Sequence, residues 1–316
     1  MYFYLGTHEP TWLRKSHVPL FISAIRLEDR CKRKLPKAVV PWALDSGGFS
    51  VVTTHGRHLW TPEEYAAKVR RWRDEIGLLD WAAVQDWMCE EIALNRSGLT
   101  IEEHQRRTVQ SWVDLRRIAP DLPWLPVIQG FTRDEYFRCV ELYREAGTDL
   151  RDCGIVGIGS VCRREDTKEA EQIVKELSDY GIRLHGFGFK VNGVKRVCDS
   201  LVSSDSLAWS FGARQKANQQ RKAMKNRTPS LFDEDATAVK GKQNDAGEAL
   251  LWCDKVRQSA GIIENAGALC CPFCQSGDVH PPLSDVDYSC VECGETWGDM
   301  RCESLASGPF HVALHS

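Results

Sequence analysis

The chain has 316 residues, of which 42% are hydrophobic and 27% charged, and its formal net charge is -3. That length holds a full core and a small second module, while the longest apolar runs are too short to span a bilayer. The opening MYFYLGTHEPTW lacks a basic start followed by an apolar stretch, so a cytoplasmic protein is expected, and the net charge argues against uniform coating by nucleic acid.

Eight short apolar or β-branched runs are read as strands, at 2–5, 19–22, 39–44, 81–84, 124–128, 155–158, 183–187 and 201–204. Helical patterns lie between several of them. Thr61-Pro62-Glu63-Glu64 opens a helix with a cap residue, proline at the first helical position and acids in the first turn. Thr100 with Glu103, and Thr132 with Glu135, have the spacing of a capping box, and 167–179 supplies a further helix. Strands alternating with helices favour a parallel sheet, and eight of them fit a closed α/β barrel with short, irregular first connections. A doubly wound sheet would need a glycine-rich phosphate turn after the first strand, which Gly6 alone does not provide.

Beyond the last strand the charge turns uneven. Between 213 and 227 there are six cations and no acid, namely Arg214, Lys216, Arg221, Lys222, Lys225 and Arg227. This run is either a solvated helix face or a surface that grips phosphate. The stretch 226–247 reads as a loop or flexible insertion and 248–259 as a helix, so a barrel domain over 1–262 is followed by a module over 263–316. That module carries Cys271-Pro-Phe-Cys274 and Cys290-Val-Glu-Cys293-Gly, two CxxC knuckles with the spacing of a zinc ribbon. A structural Zn2+ on Cys271, Cys274, Cys290 and Cys293 is expected, with disulfides or free thiols as the alternative. Cys31, Cys89, Cys139, Cys153, Cys162, Cys198 and Cys253 are solitary and read as small buried hydrophobes of a reducing compartment.

Four strand runs end in polar groups: Asp45 in ALDSGGFS, Asp86 in WAAVQDWM, Gln129 in WLPVIQG and Asp205 in LVSSDSLAW. The loops at the carboxyl ends of barrel strands converge on one mouth, so three carboxylates and a carboxamide would share a pocket. Each has a plainer reading as a turn or cap residue, since Asp-Ser-Gly-Gly is a good turn and Asp86 or Asp205 could cap the next segment. Taken in barrel order, they suit a division in which one ionised carboxylate attacks a sugar carbon and another, with a raised pKa, moves protons. Phe49 could stack on a flat substrate. No GxxxxGK[ST] or GxGxxG occurs, so no nucleotide cofactor is expected.

The ordered series DSGGF (45–49), VQDWM (84–88), IQG (128–130), GIGSVCRR (157–164), LHGFG (184–188) and SSDSLAW (203–209) resembles the tRNA-guanine transglycosylase superfamily. It is closer to the DNA-modifying branch, the deazapurine-in-DNA proteins of phages and bacterial modification systems, over roughly 1–260. The resemblance implies a TIM-like (β/α)8 barrel that exchanges guanine in DNA for a 7-deazaguanine such as preQ0. It implies Asp205 as the attacking aspartate, Asp45 as the acid/base, and Asp86 and Gln129 as readers of the base edge. Gly157 would line the pocket, and Phe49 and His185 would stack on the two faces of the base, His185 standing where the tRNA enzymes usually have methionine. Expected partners are DNA, or tRNA as the alternative polymer, the free 7-deazaguanine base, and helper proteins if the duplex needs opening; no membrane is expected. A third reading is a barrel that binds nucleic acid without catalysis. The internal CxCxxC metal site of the tRNA enzymes is missing after Asp205, so their dimer is not carried over.

Overall fold

The computed structural model describes residues 1–29, 34–161, 167–189 and 191–207, together with the backbone of 279–280, 288–290 and 296–297. The chain divides into two compact units, Met1–Ala260 and Gly261–Ser316.

In the first unit the strands are β1 (Tyr2–Thr7), β2 (Leu20–Ser23), β3 (Trp42–Asp45), β4 (Leu79–Ala83), β5 (Trp124–Leu125), β6 (Val127–Ile128), β7 (Val156–Ile158), β8 (Leu184–Gly186) and β9 (Leu201–Ser206). They pair in the order β5-β4-β3-β2-β1-β9-β8-β7-β6, and every pairing is parallel. The two outer members of that series are halves of one run, the strand expected at 124–128. Pro126, which has no N–H to give, splits it. The first half pairs with β4 and the second with β7, so the nine-stranded sheet is a nearly closed barrel with eight strand positions. Tyr143 secures the break: its hydroxyl donates to the Val127 carbonyl at 2.9 Å and accepts the Val127 N–H at 3.1 Å.

The surrounding helices are α1 (Ala24–Glu28), α2 (Gly48–His55), α3 (Pro62–Ile76), α4 (Glu91–Ser97), α5 (Ile101–Ile118), α6 (Arg133–Glu145), α7 (Lys168–Asp179) and α8 (Val191–Val197). Reciprocal capping boxes start α3 at Thr61 and Glu64 and α6 at Thr132 and Glu135. At Thr100 only half of the expected box forms. The Thr100 hydroxyl takes the Glu103 N–H, but the Glu103 carboxylate turns to Arg106 and Arg107. Two guanidinium partners outcompete one backbone amide for that carboxylate.

α3 buries Tyr65, Ala66, Val69, Trp72 and Ile76 on one stripe, as a helix packed on a barrel should. α5 differs, because its buried face includes His104, Gln105, Thr108 and Ser111. Inside the barrel, Tyr4, Phe21, Trp81, His185 and Phe187 form a cluster of rings. Cys89 and Cys139 are buried as expected, Cys153 and Cys198 are partly exposed, and Cys31, Cys162 and Cys253 lie outside the described residues.

Of the second unit, the described backbone forms a three-stranded antiparallel sheet of β10 (Val279–His280), β11 (Tyr288–Cys290) and β12 (Thr296–Trp297). Cys290 lies in β11, whereas Cys271, Cys274 and Cys293 lie outside the described residues, as do the helix expected at 248–259 and the insertion at 226–247. No helix among the described residues is long and apolar enough to cross a membrane.

Candidate active site

β3 ends at Asp45, paired in register with Ser23 of β2. The next residues open α2, so DSGGF is a strand-to-helix junction and not a free turn. Gly47 adopts φ 77°, a left-handed conformation that favours glycine. At Gly48 an added Cβ would lie 2.9 Å from both the carbonyl oxygen and the Oδ1 of Asp86. The two glycines thus let the junction fold tightly against its own neighbours.

That close approach builds a network around Asp86, which follows β4. The Ser46 hydroxyl donates to Asp86 Oδ1 at 2.8 Å and accepts the Gly48 N–H at 3.0 Å. Gln129, beyond β6, donates from Nε2 to Asp86 Oδ2 at 2.6 Å, and its Oε1 accepts the Ser160 hydroxyl at 2.7 Å. Ser160, at φ 57°, also accepts the Cys89 N–H at 2.8 Å. Gly159 leaves the room for this carboxamide, since a Cβ there would overlap it. Asp86 and Gln129 are brought together as expected, although the Gln129 carboxamide is spent on Asp86 and Ser160.

The polar face of α5 holds this assembly from behind. Ser111 accepts the Gln85 N–H, Thr108 accepts the Trp87 N–H, His104 bonds the Met88 carbonyl and Gln105 donates to the Gln129 carbonyl. From the other side, His58 Nε2 reaches the Asp86 carbonyl at 2.9 Å. Every residue from 81 to 90 is buried. Sequence reading missed His58 and Gln105 as site residues; Ser46, Gly159 and Ser160 lie in the quoted DSGGF and GIGSVCRR stretches but carried no role.

Burial raises the pKa of Asp45 to about 7; the Asp86 carboxylate pushes the same way, more than the smaller push from Asp205, and the Gly47 amide and Ser23 hydroxyl pull back. Asp86 is also raised by burial, an effect opposed by its bonds to Ser46 and Gln129. His58 falls to about 4 because its enclosure disfavours the charged ring, so it is neutral at pH 7. A carboxyl with a pKa near 7 can both give and take a proton at ordinary pH.

Asp205 sits buried on β9, in register with Tyr4 of β1. Its Oδ1 accepts the Gly188 N–H at 3.0 Å and faces His185 Nε2 at 3.3 Å. The His185 ring is fully enclosed, 0% exposed, with Trp81 and Phe187 at 4.7 and 4.8 Å. The His185 ring thus packs among aromatic side chains, beside the carboxylate of Asp205. Gly157 is likewise covered, because the Phe187 ring occupies the space where its side chain would be. Phe49, the second residue of α2, is partly buried beside Val52, Trp87 and Met88. Arg214, Lys216, Arg221, Lys222, Lys225 and Arg227 lie outside the described residues.

The comparisons with known proteins agree with the geometry in kind. No curated protein matches the chain. A family model does, over residues 1–231, and its description is DpdA: DeoxyPurine in DNA protein A.

Proposed function

The chain belongs to the DpdA family and is a DNA-guanine/7-deazaguanine transglycosylase, and from that premise we propose how its residues divide the reaction. The DNA assignment takes precedence over tRNA, and an enzyme over a barrel that only binds.

Asp205 attacks C1′ of the deoxyribose of a target guanine. The C1′–N9 bond breaks, a C1′–O bond to Asp205 forms, and the departing base takes a proton from Asp45. The incoming 7-deazaguanine, for which preQ0 is the candidate, gives its ring N–H proton back to Asp45 and attacks C1′. The ester to Asp205 then breaks. Two inversions leave the sugar configuration unchanged, as in retaining glycoside chemistry. The observation that carries this reading is the contrast between the two carboxylates. Asp45 is poised near pH 7 to carry the proton, and Asp205 has one oxygen fixed by N–H donors.

Asp86, with Gln129 locking its orientation, reads the donor edge of the base, and Phe49 is the candidate for stacking. A base in a duplex is presented to such a pocket only when flipped out or unpaired. The cationic stretch 213–227 is the candidate for holding the flanking phosphates, supported by its six cations without an acid. The four cysteines of the two CxxC knuckles suit tetrahedral Zn2+ as a donor set, and the metal would fold the C-terminal module without entering the chemistry.

The test combines purified protein, guanine-containing DNA and labelled guanine or preQ0. Label is expected to enter DNA with the wild type. Asp205→Asn should abolish both exchange and the covalent DNA adduct, with DNA affinity little changed. Exchange that survives this substitution would remove Asp205 from the role.

A further inference from the structure

Resting on the reading of Asp205 as nucleophile, we propose that His185 is a positioning residue. It holds one oxygen of Asp205 and thereby presents the other to the sugar, with Ser203 fixing its tautomer.

Ser203 and Asp205 are two residues apart on β9, so both side chains point to the same face of the strand. His185 of β8 pairs in register with Ser203. One ring nitrogen therefore meets each of them: Nδ1 lies 2.7 Å from the Ser203 hydroxyl and Nε2 lies 3.3 Å from Asp205 Oδ1. The rest of the ring is walled by aromatic groups, with Tyr4 and Phe21 at 6.0 and 5.9 Å beyond Trp81 and Phe187. Such walls leave the imidazole one orientation.

For a neutral ring facing an ionised carboxylate, the hydrogen-bonding chemistry has one consistent solution. An ionised carboxylate only accepts, so Nε2 carries the proton it shares with Oδ1. In the neutral ring Nδ1 is then the acceptor, and the Ser203 hydroxyl donates to it. Gly188 N–H adds a second donor to the same Oδ1. Among the described residues no donor reaches Oδ2. The two oxygens are therefore unequal: Oδ1 carries stabilised charge, and Oδ2 keeps its lone pairs for C1′. When the C1′–Oδ2 bond forms and the C1′–N9 pair leaves with the base, Oδ1 becomes the ester carbonyl oxygen and keeps both donors. When the second base attacks, charge returns to a carboxylate already oriented.

The experiment is a single-turnover measurement of covalent DNA adduct, with DNA affinity measured in parallel, on the full chain. His185→Phe keeps an aromatic ring in the cage but removes the donor. Adduct formation should slow by about 10- to 100-fold, the worth of a hydrogen bond to a charged group, with affinity unchanged. His185→Gln can place an amide N–H where Nε2 was and should recover most of the rate. Ser203→Ala should slow the step by about fivefold, as loss of one neutral hydrogen bond. A normal rate in His185→Phe, or equal slowing in the Phe and Gln variants, would overturn the proposal. If His185→Phe does not fold, Ser203→Ala decides, and an unchanged rate there refutes it. Asp205→Asn separates the two readings: an adduct that persists in that variant removes the nucleophile itself, whereas an adduct lost there but normal in His185→Phe removes only the role of His185.

Discussion

Asp45 shows how one side chain ties stability to turnover. Its carboxyl is raised to about 7 from an ordinary value near 4, so the folded protein holds that proton more tightly than the unfolded chain. The contribution to stability is fully present below the unfolded value and is lost as pH rises through about 7. Asp45→Asn should therefore melt at a temperature roughly 2–4 °C higher than the wild type at pH 8, and the gain should vanish toward pH 4. Adduct formation, which uses the protonated acid, should decline in the wild type above about pH 7; a profile flat from pH 6 to 9 would assign the acid to another group. The positions of Asp45, Asp86, Gln129 and Asp205 at or near the ends of strands were legible because each ends an apolar run. His185 and Ser160 were not, since their roles depend on which side chains other strands and loops bring to them. No local pattern states that an imidazole will be caged by Trp81 and Phe187.

At the scale of elements, α5 is the scaffold on which the loop after β4 is hung. Its buried polar residues contradict the apolar stripe of an ordinary barrel helix, and the main-chain groups they satisfy explain them. Thr108→Val is the sharpest probe, because it keeps the shape and strands the buried Trp87 N–H. A loss of about 1–3 kcal/mol in denaturant unfolding is expected. Exchange should fall too, since Trp87 is adjacent to Asp86; full activity at unchanged stability would show that another group takes the amide. All eight expected strand positions formed, because β-branched runs bounded by polar residues are a local signal. The capping boxes at Thr61 and Thr132 follow from three-residue spacing where no cation competes, whereas at Thr100 Arg106 and Arg107 take the Glu103 carboxylate. α2 escaped notice because two glycines at its start read as a turn, and the packing of Gly48 against Asp86 that justifies them is tertiary.

For the whole molecule, the family match ends at residue 231, so the chain's C-terminal module stands apart from what the family model describes. Its cysteine spacing carries its own expectation. Cys271→Ser should lower zinc content in metal analysis from about one per chain and loosen the module over 263–316, while the melting of the barrel unit changes little. Unchanged zinc stoichiometry would dismiss the four-cysteine assignment. The overall architecture was readable because alternating strands and helices leave few topologies. Which polymer the barrel serves was not readable from composition, since a net charge of -3 and a short cationic run fit DNA and tRNA alike.

The division of one strand at Pro126 has a mechanical consequence. Elsewhere around the ring neighbouring strands are joined by a ladder, which can open only by breaking several bonds together. Here the two neighbours β4 and β7 are joined through the chain itself, across a residue that gives no amide to either. Each meets a strand of only two residues. The ring is therefore closed at this point by the covalent chain and not by one continuous ladder, and the Tyr143 hydroxyl holds the backbone of Val127 on one side of the division. Gln129 directly follows the second half, so the segment that closes the ring also carries the carboxamide that holds Asp86.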